Sequence, residues 1–396
     1  MNSQEILAMD AQYVLHTYGR AAFVLESGQG MHLTDAEGKT YLDFVSGIAV
    51  NALGYGDPDI LRAIVAQAGT LMHVSNLYCT APQAQLAKML VEASFADKVY
   101  FCNSGAESVE AAIKFARKWA KVNYGADRSE FVAFSGAFHG RTMGALALTP
   151  RPHYQDAFRP LMPGANIVPF NDLAAAEAAI TETTCAVVVE PVQGESGVIP
   201  AEPAFLAGLR GLCDSRGALL VFDEVQCGLG RTGTLWAHQP YGVTPDIMTL
   251  AKPLGGGLPM GATLVAKKVA DVMEPGDHAS TFAANPVICA AAQVAFGKIS
   301  NPAFLEHVRW AGSYLQEGLM ELQAKHDCIK EVRGRGLIWG VECDLSVSPI
   351  IQACQAEGLL VLNAGPQVLR LIPPLVVERE HLDAALATIG KAFAQR

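Results

Sequence analysis

Short apolar runs alternate with helical periodicities along this chain, the pattern of an α/β protein built on a mainly parallel sheet. Six short runs in its middle are apolar or nearly so, as suits strands covered on both faces: Val99–Cys102, Phe131–Phe134, Ala186–Val189, Leu219–Phe222, Ile247–Leu250 and Ala262–Val265. They give way to polar or glycine-rich stretches such as Asn103-Ser104-Gly105, Ser135-Gly136, Glu190-Pro191, Asp223-Glu224 and Ala251-Lys252. Ligands of open α/β sheets bind beyond the carboxyl ends of the strands, so these polar residues stand where a site belongs.

The flanks differ. Met31 to Asp35 and Thr40 to Phe44 alternate around a turn and predict a hairpin. Asp57-Pro58 opens a helix with Ile60, Leu61, Ile64, Val65 and Ala68 on one face, and a second helix is expected from about Ala81 to Ser94. Beyond Asn285-Pro286 a long helical stretch runs to about His326. Strands at Gly336–Val341, Leu359–Leu362 and Val368–Ile372 and a final helix from His381 to Phe393 follow, so the last part of the chain predicts a smaller α+β domain.

Composition narrows the class. With 396 residues, two or three folding units are expected, and 51% hydrophobic against 17% charged residues excludes disorder and suggests a buried subunit interface. A net charge of −10 argues against a nucleic-acid binder relying on a basic surface. The uncharged stretch from Ala279 to Gly297 is broken by Asn285, Pro286 and Gln293, so no membrane span is expected. Glu5 and Asp10 precede the first basic residue, Arg20, the opposite of an export signal. Nine scattered cysteines without a C-x-x-C pair and ten histidines without H-E-x-x-H spacing favour neither disulfides nor a metal site. A cytoplasmic protein is expected.

Several residues at the strand ends carry chemistry. Ser104-Gly105-Ala106-Glu107 joins an apolar run to an amphipathic helix, where free N–H groups make an anion site; Ser104 and Glu107 would equally make a capping box. Asp223, directly after a buried run, needs a cationic partner or a raised pKa: a cationic ring nitrogen of a cofactor, or a structural arginine. Lys252, before Pro253-Leu254-Gly255-Gly256-Gly257, stands where desolvation favours a Schiff base with a carbonyl compound, although an isolated lysine at a strand end more often just reaches solvent. Arg141 follows a strand and Arg370 interrupts an aliphatic one; each suits a carboxylate, whether of a ligand or of a protein residue such as Glu195. Gly228-Leu229-Gly230-Arg231-Thr232-Gly233 imitates a dinucleotide fingerprint, but Pro240 and Gly242 interrupt the helix that it requires.

Taken together and in order, YLDFVSGIAVNALG, HVSNLY, FCNSGAESVEAAIKFARK, FHGRTMGAL, EPVQGESGV, FDEVQCGLGRTG, PDIMTLAKPLGGG, STFAANP, VRGRGLIWG and VLRLIPPL resemble the class III, pyridoxal-phosphate-dependent aminotransferases of fold type I, over nearly the whole chain. The resemblance implies a large cofactor-binding domain over 57–284 and a small domain from 285–396, with 1–56 contributing to it. It implies that Lys252 carries the pyridoxal phosphate and Asp223 pairs with its ring nitrogen. Ser104, Gly105 and Ala106 would hold its phosphate, and Phe138 and Val225 would flank its ring. Glu224 and Gln226 would complete the cofactor site, and Thr281 would reach the phosphate of a neighbouring subunit, which implies a homodimer with shared sites. The implied substrates are N-acetylornithine and 2-oxoglutarate. Arg141, Ser280 and Tyr18 would serve in substrate binding, and Arg370 would take the α-carboxylate of glutamate, with Glu195 masking it otherwise. Ile48 fits the acetylornithine type, while Tyr55, Ala279, Ala283 and Ala284 depart from the family pattern. Alternative amine donors are succinylornithine, ornithine, 4-aminobutyrate and N-succinyl-diaminopimelate; the rival classes are an NAD-dependent oxidoreductase and a non-catalytic binding protein.

Overall fold

The computed structural model describes residues 1–395, and among these the strands form four sheets. The largest has seven strands: β1 (Lys98–Cys102), β2 (Glu130–Phe134), β3 (Ala165–Val168), β4 (Thr184–Val189), β5 (Leu219–Asp223), β6 (Ile247–Leu250) and β7 (Gly261–Val265). Their order is β1-β7-β6-β5-β4-β2-β3. From β6 through β3 the pairing is parallel, whereas β7 runs antiparallel to both β6 and β1. The expected mainly parallel sheet is present with one reversed strand inside it. The link from Ala251 to Met260 is shorter than the dozen or more residues of a parallel crossover, so β7 has to return antiparallel.

Strands β4, β5 and β6 are buried at every position, which is why they read as continuous apolar runs. Successive side chains serve opposite layers. Ala186, Val188, Leu219 and Val221 pack with Val109, Ile113 and Ala116 of helix Gly105–Tyr124, while Val187, Val189, Leu220 and Phe222 pack with Phe205, Leu206 and Leu209 of helix Pro203–Arg216. Edge strand β3 escaped the sequence pattern because it is short and only partly buried.

The hairpin His32–Asp35/Thr40–Asp43 forms as expected, joined by an additional strand, Leu25–Gln29, and its second strand pairs in parallel with Leu359–Leu360. A further sheet holds Ile329–Arg335, Ile338–Cys343, Val368–Leu371 and Leu362–Asn363. The first of these was not anticipated, since Lys330, Glu331, Arg333 and Arg335 hide its apolar positions. The largest apolar cluster runs from Met31 and Phe44 through Leu250 and Met260 to Phe393, so the ends of the chain share a core with the middle.

Two expectations need correction. The stretch after Asn285 is two helices, Pro286–Ile299 and Pro302–Lys325, because the Asn301 side chain caps the second start and Pro302 cannot continue the first. Helix Pro58–Ala68 forms with Asp57 capping it, yet of its apolar face only Ile60 is buried; Leu61 and Val65 are exposed. Among the described residues no helix is long and apolar enough to cross a membrane.

Candidate active site

The carboxyl ends of β1, β2, β4, β5 and β6, together with Met260 at the start of the reversed β7, surround a cavity of about 430 Å³. Ser104, Gly105, Ala106, Phe138, Arg141, Glu195, Asp223, Val225, Gln226 and Lys252 all line it, so residues spread over 149 positions of sequence meet at one place.

Each is positioned by its strand end. After β1 the chain turns at Ser104, whose hydroxyl accepts from Glu107 N at 3.2 Å and starts a 20-residue helix. The Glu107 carboxylate accepts in return from Asn103 N at 2.9 Å, one residue earlier than the usual capping box. This cap leaves the first-turn N–H groups of Gly105 and Ala106 without a helical acceptor, facing the cavity at the positive end of the helix. The place for Gly105 is tight: a Cβ there would lie 2.8 Å from Val225 Cγ1.

Asp223 ends β5. Its Oδ1 accepts from Val225 N at 3.0 Å and Thr249 Oγ1 at 3.1 Å, and its Oδ2 lies 2.7 Å from His139 Nδ1. Burial pulls the His139 imidazole down, but the hydrogen bond and charge of Asp223 outweigh it and its pKa is raised. Glu190, at the end of β4, is almost fully buried, accepts from Phe138 N at 3.1 Å, and is pushed up to about 8 by burial. These two residues were missed in the sequence. The signal for Glu190 was present, a carboxylate directly after a fully apolar strand, while His139 sat unremarked between Phe138 and Arg141.

Lys252 follows β6 with φ of 37°, a left-handed backbone that side chains avoid and that is retained at functional sites. Burial lowers its pKa, the charge of Glu195 raises it, Arg370 opposes, and the net shift is downward. Glu195 is held at about 2: burial pushes its carboxyl up, and Arg370, Lys252 and Gln226 more than reverse this. Its Oε1 accepts from Arg370 Nη1 at 2.5 Å and from Gln226 Nε2 at 2.9 Å. Arg370, buried in Val368–Leu371, also donates to Gly194 O at 2.7 Å. Arg141 is exposed, with its guanidinium carbon 3.3 Å from the centroid of the Tyr154 ring, and among the described residues it makes no ion pair.

Other expected residues stand elsewhere. Both carboxylate oxygens of Glu224 are occupied away from the cavity by Ala237 N, His238 N and His238 Nδ1, so it braces the following loop. Ser280 Oγ accepts from Asn103 Nδ2 at 2.9 Å beside the cavity rather than in its lining. Thr281 and Tyr18 are exposed and outside the lining, and the Arg20 guanidinium carbon lies 5.9 Å from the centroid of the Tyr18 ring. Ile48 is exposed within a run of positive φ from Ser46 to Ala49; Val50, just after it, reaches the cavity. Ala284, noted as a departure from the family pattern, has φ of 54°, the left-handed region that favours glycine.

The residue range Gly228–Gly233 is no nucleotide loop. Turns follow it rather than a helix, and Arg231 is buried, donating to the carbonyls of Leu337 and Pro373 and tying the large sheet to the later strands.

The sequence profile described as aminotransferase class-III matches residues 13–393. The chain belongs to the class III aminotransferases. It is a transaminase on that ground, and the oxidoreductase reading of Gly228–Gly233 falls. The chain is 50% identical to the mitochondrial acetylornithine aminotransferase of Alnus glutinosa, a match covering 97% of this chain and 86% of that protein. It is 44% identical to the succinylornithine transaminase of Yersinia enterocolitica, over 97% of this chain and 95% of that one. Among solved structures, N-acetylornithine aminotransferase from Stenotrophomonas maltophilia superposes with a TM-score of 0.85 at 38% identity, covering 98% of both chains. Ornithine aminotransferase from Toxoplasma gondii gives 0.96 at 32%, covering 100% of this chain and 94% of that one, in a crystal with partial occupancy of pyridoxal phosphate at its active site.

Proposed function

We propose that this transaminase binds pyridoxal phosphate and moves the terminal amino group of N2-acetyl-L-ornithine to 2-oxoglutarate, giving N-acetyl-L-glutamate 5-semialdehyde and L-glutamate, a step of arginine biosynthesis. The cavity suits the cofactor on its own terms. Gly105 and Ala106 offer two N–H groups to a phosphate, Asp223 offers a carboxylate braced by His139 to a ring nitrogen, and Lys252 offers an amine whose lowered pKa favours attack on a carbonyl. Phe138 and Val225 line the walls between them. When bound, pyridoxal phosphate supplies an electron sink for the carbon that loses its proton. Lys252 would move that proton, and Asp223 would keep the ring nitrogen protonated.

The observation that carries the choice of substrate is the unequal state of two arginines. Among the described residues Arg141 has no carboxylate partner, whereas Arg370 is closed by Glu195 at 2.5 Å. A donor presenting a terminal amine needs only one distant carboxylate anchor, which Arg141 supplies. An α-amino acid needs a carboxylate anchor next to the reacting carbon, and Arg370 serves once Glu195 releases it. The pair thereby admits acetylornithine in one half of the reaction and glutamate in the other.

We also place the active enzyme in the cytoplasm as a homodimer, its large domain over 57–284 and its small domain built from 285–396 with 1–56. Thr281 and Phe282 are exposed beside an apolar strip that includes Met72, Leu77 and Tyr78, and the Phe282 ring lies 5.5 Å from that of His73. A second copy covering the strip would bring Thr281 towards the partner's phosphate.

Absorption spectroscopy of the holoenzyme tests the substrate. N-Acetylornithine should bleach the visible band of the bound cofactor faster than ornithine or 4-aminobutyrate does. A band that ignores N-acetylornithine and responds to another amine would replace the substrate.

A further inference from the structure

Glu110 stands on helix Gly105–Tyr124, three residues beyond Glu107 and outside the lining of the cavity. Its half-buried carboxylate has no lysine, arginine or histidine nitrogen within 4.0 Å among the described residues. Its Oε1 instead accepts from Gly144 N at 2.8 Å and from Ala145 N at 3.1 Å. Those two groups open helix Met143–Ala147, only five residues long, whose own N-cap residue, Thr142, makes no side-chain bond to it. So short a helix does not hold itself in water, and its free N–H groups carry partial positive charge. A carboxylate from another helix supplies the cap. The fit is close, since a Cβ on Gly144 would lie 2.9 Å from Glu110 Cδ.

This short helix directly follows the segment that faces the cavity, Phe138 to Arg141. The first residues of that segment have ties of their own. Phe138 N donates to Glu190, the His139 ring meets Asp223, and His139 N donates to Thr149 Oγ1 at 2.9 Å. Beyond them, among the described residues, the next backbone N–H groups to find a side-chain acceptor are those of Gly144 and Ala145, both at Glu110. The far end of the helix is tied by Gln155, whose Nε2 donates to Leu146 O at 2.9 Å and Thr149 O at 3.0 Å. Tyr154, beside Gln155, carries the Arg141 guanidinium on its ring. Of the residues facing the cavity from this segment, Arg141 therefore depends most on the cap.

We propose that Glu110 is a positioning residue for Arg141: by capping the helix that begins two residues later, it fixes where the guanidinium meets the substrate carboxylate, while itself touching neither substrate nor cofactor. This rests on the proposed function, because Arg141 must be the carboxylate anchor. The cofactor-facing residues of the segment are held by Glu190, Asp223 and Thr149, so loss of Glu110 falls on carboxylate recognition and spares the cofactor.

The test compares kcat/KM for N-acetylornithine with that for N-acetyl-1,4-diaminobutane, the same donor with hydrogen in place of the α-carboxylate. In the holoenzyme of Glu110→Ala the ratio of the two should fall about tenfold, through KM for N-acetylornithine, as loss of two hydrogen bonds behind the anchor predicts. Glu110→Gln keeps an acceptor oxygen and should restore most of the ratio. Gly144→Ala, whose added methyl displaces the same carboxylate from the other side, should lower it as Glu110→Ala does. The cofactor band and thermal midpoint of each variant report folding, and a merely structural role for Glu110 would lower activity on both donors alike. Equal losses on both donors, an unchanged ratio in Glu110→Ala and Gly144→Ala, or Glu110→Gln as damaging as Glu110→Ala would overturn the inference. Arg141→Ala separates the two readings. If it lowers the ratio while Glu110→Ala does not, only this inference falls; if it leaves the ratio unchanged, the proposed anchor falls as well.

Discussion

Lys252 sits among charges that set its state. Burial favours the neutral amine, Glu195 and Asp223 favour the ammonium, and Arg370 opposes them. Lys252→Ala should abolish turnover, and borohydride reduction of the holoenzyme, which should fix cofactor mass on the residue-252 peptide of the wild type, should fix none in the variant. Sustained multiple turnovers by it would refute the assignment. Glu195 offers a pH test. Its folded pKa of about 2 lies below the usual glutamate value of about 4.3, so its contribution is full above that value and is lost as the pH falls towards 2. The difference in urea midpoint between wild type and Glu195→Gln should therefore narrow from pH 6 to pH 3; a constant difference would mean the pair is not ionic. The same variant opens Arg370, so its preference should move towards α-amino substrates.

At the level of elements, the proposed phosphate cradle depends on how β7 meets the turn after β1. Gly261 begins β7 opposite Cys102, and a Cβ there would lie 2.3 Å from Ser104 O and 2.7 Å from Cys102 Sγ. Backbone must give way, which shifts the N–H groups of Gly105 and Ala106. Gly261→Ala should raise the dissociation constant for pyridoxal phosphate by at least about tenfold in a fluorescence titration of the apoenzyme. Unchanged affinity would mean that the cradle does not hold the phosphate. The sequence exposed this element only in part. The capped helix start at Ser104 was legible because hydroxyl, glycine and acid fall in a recognisable order, whereas the pressure on Gly261 comes from a residue 157 positions away.

For the whole molecule, the exposed apolar positions are the informative feature. Leu61, Val65, Met72, Leu77, Tyr78 and Phe282 are each more than half exposed, and Leu77 reaches 85%. Isolated apolar residues on a surface are ordinary, but several on neighbouring segments mark an interface. The wild type should sediment at twice the chain mass, as the proposed dimer requires, and Leu77→Asp should sediment as a monomer that loses its cofactor on dilution. A wild type that sediments as a monomer would remove the shared-site arrangement.

The identity of the strands buried on both faces, the helix start at Ser104 and the placement of Asp223 and Lys252 after such strands were determined by the sequence, because burial on both faces and capping are local patterns that leave a signature in consecutive residues. The ordered motifs likewise fixed the family. The tertiary structure decided what depends on distant partners. It turned Glu224 to His238, drew His139 onto Asp223, closed Arg370 with Glu195, and brought Arg141 and Arg151 to the Tyr154 ring. A side chain's residue type limits which partners it can accept, but only packing chooses among them, since the partner's position is fixed by contacts tens or hundreds of residues away.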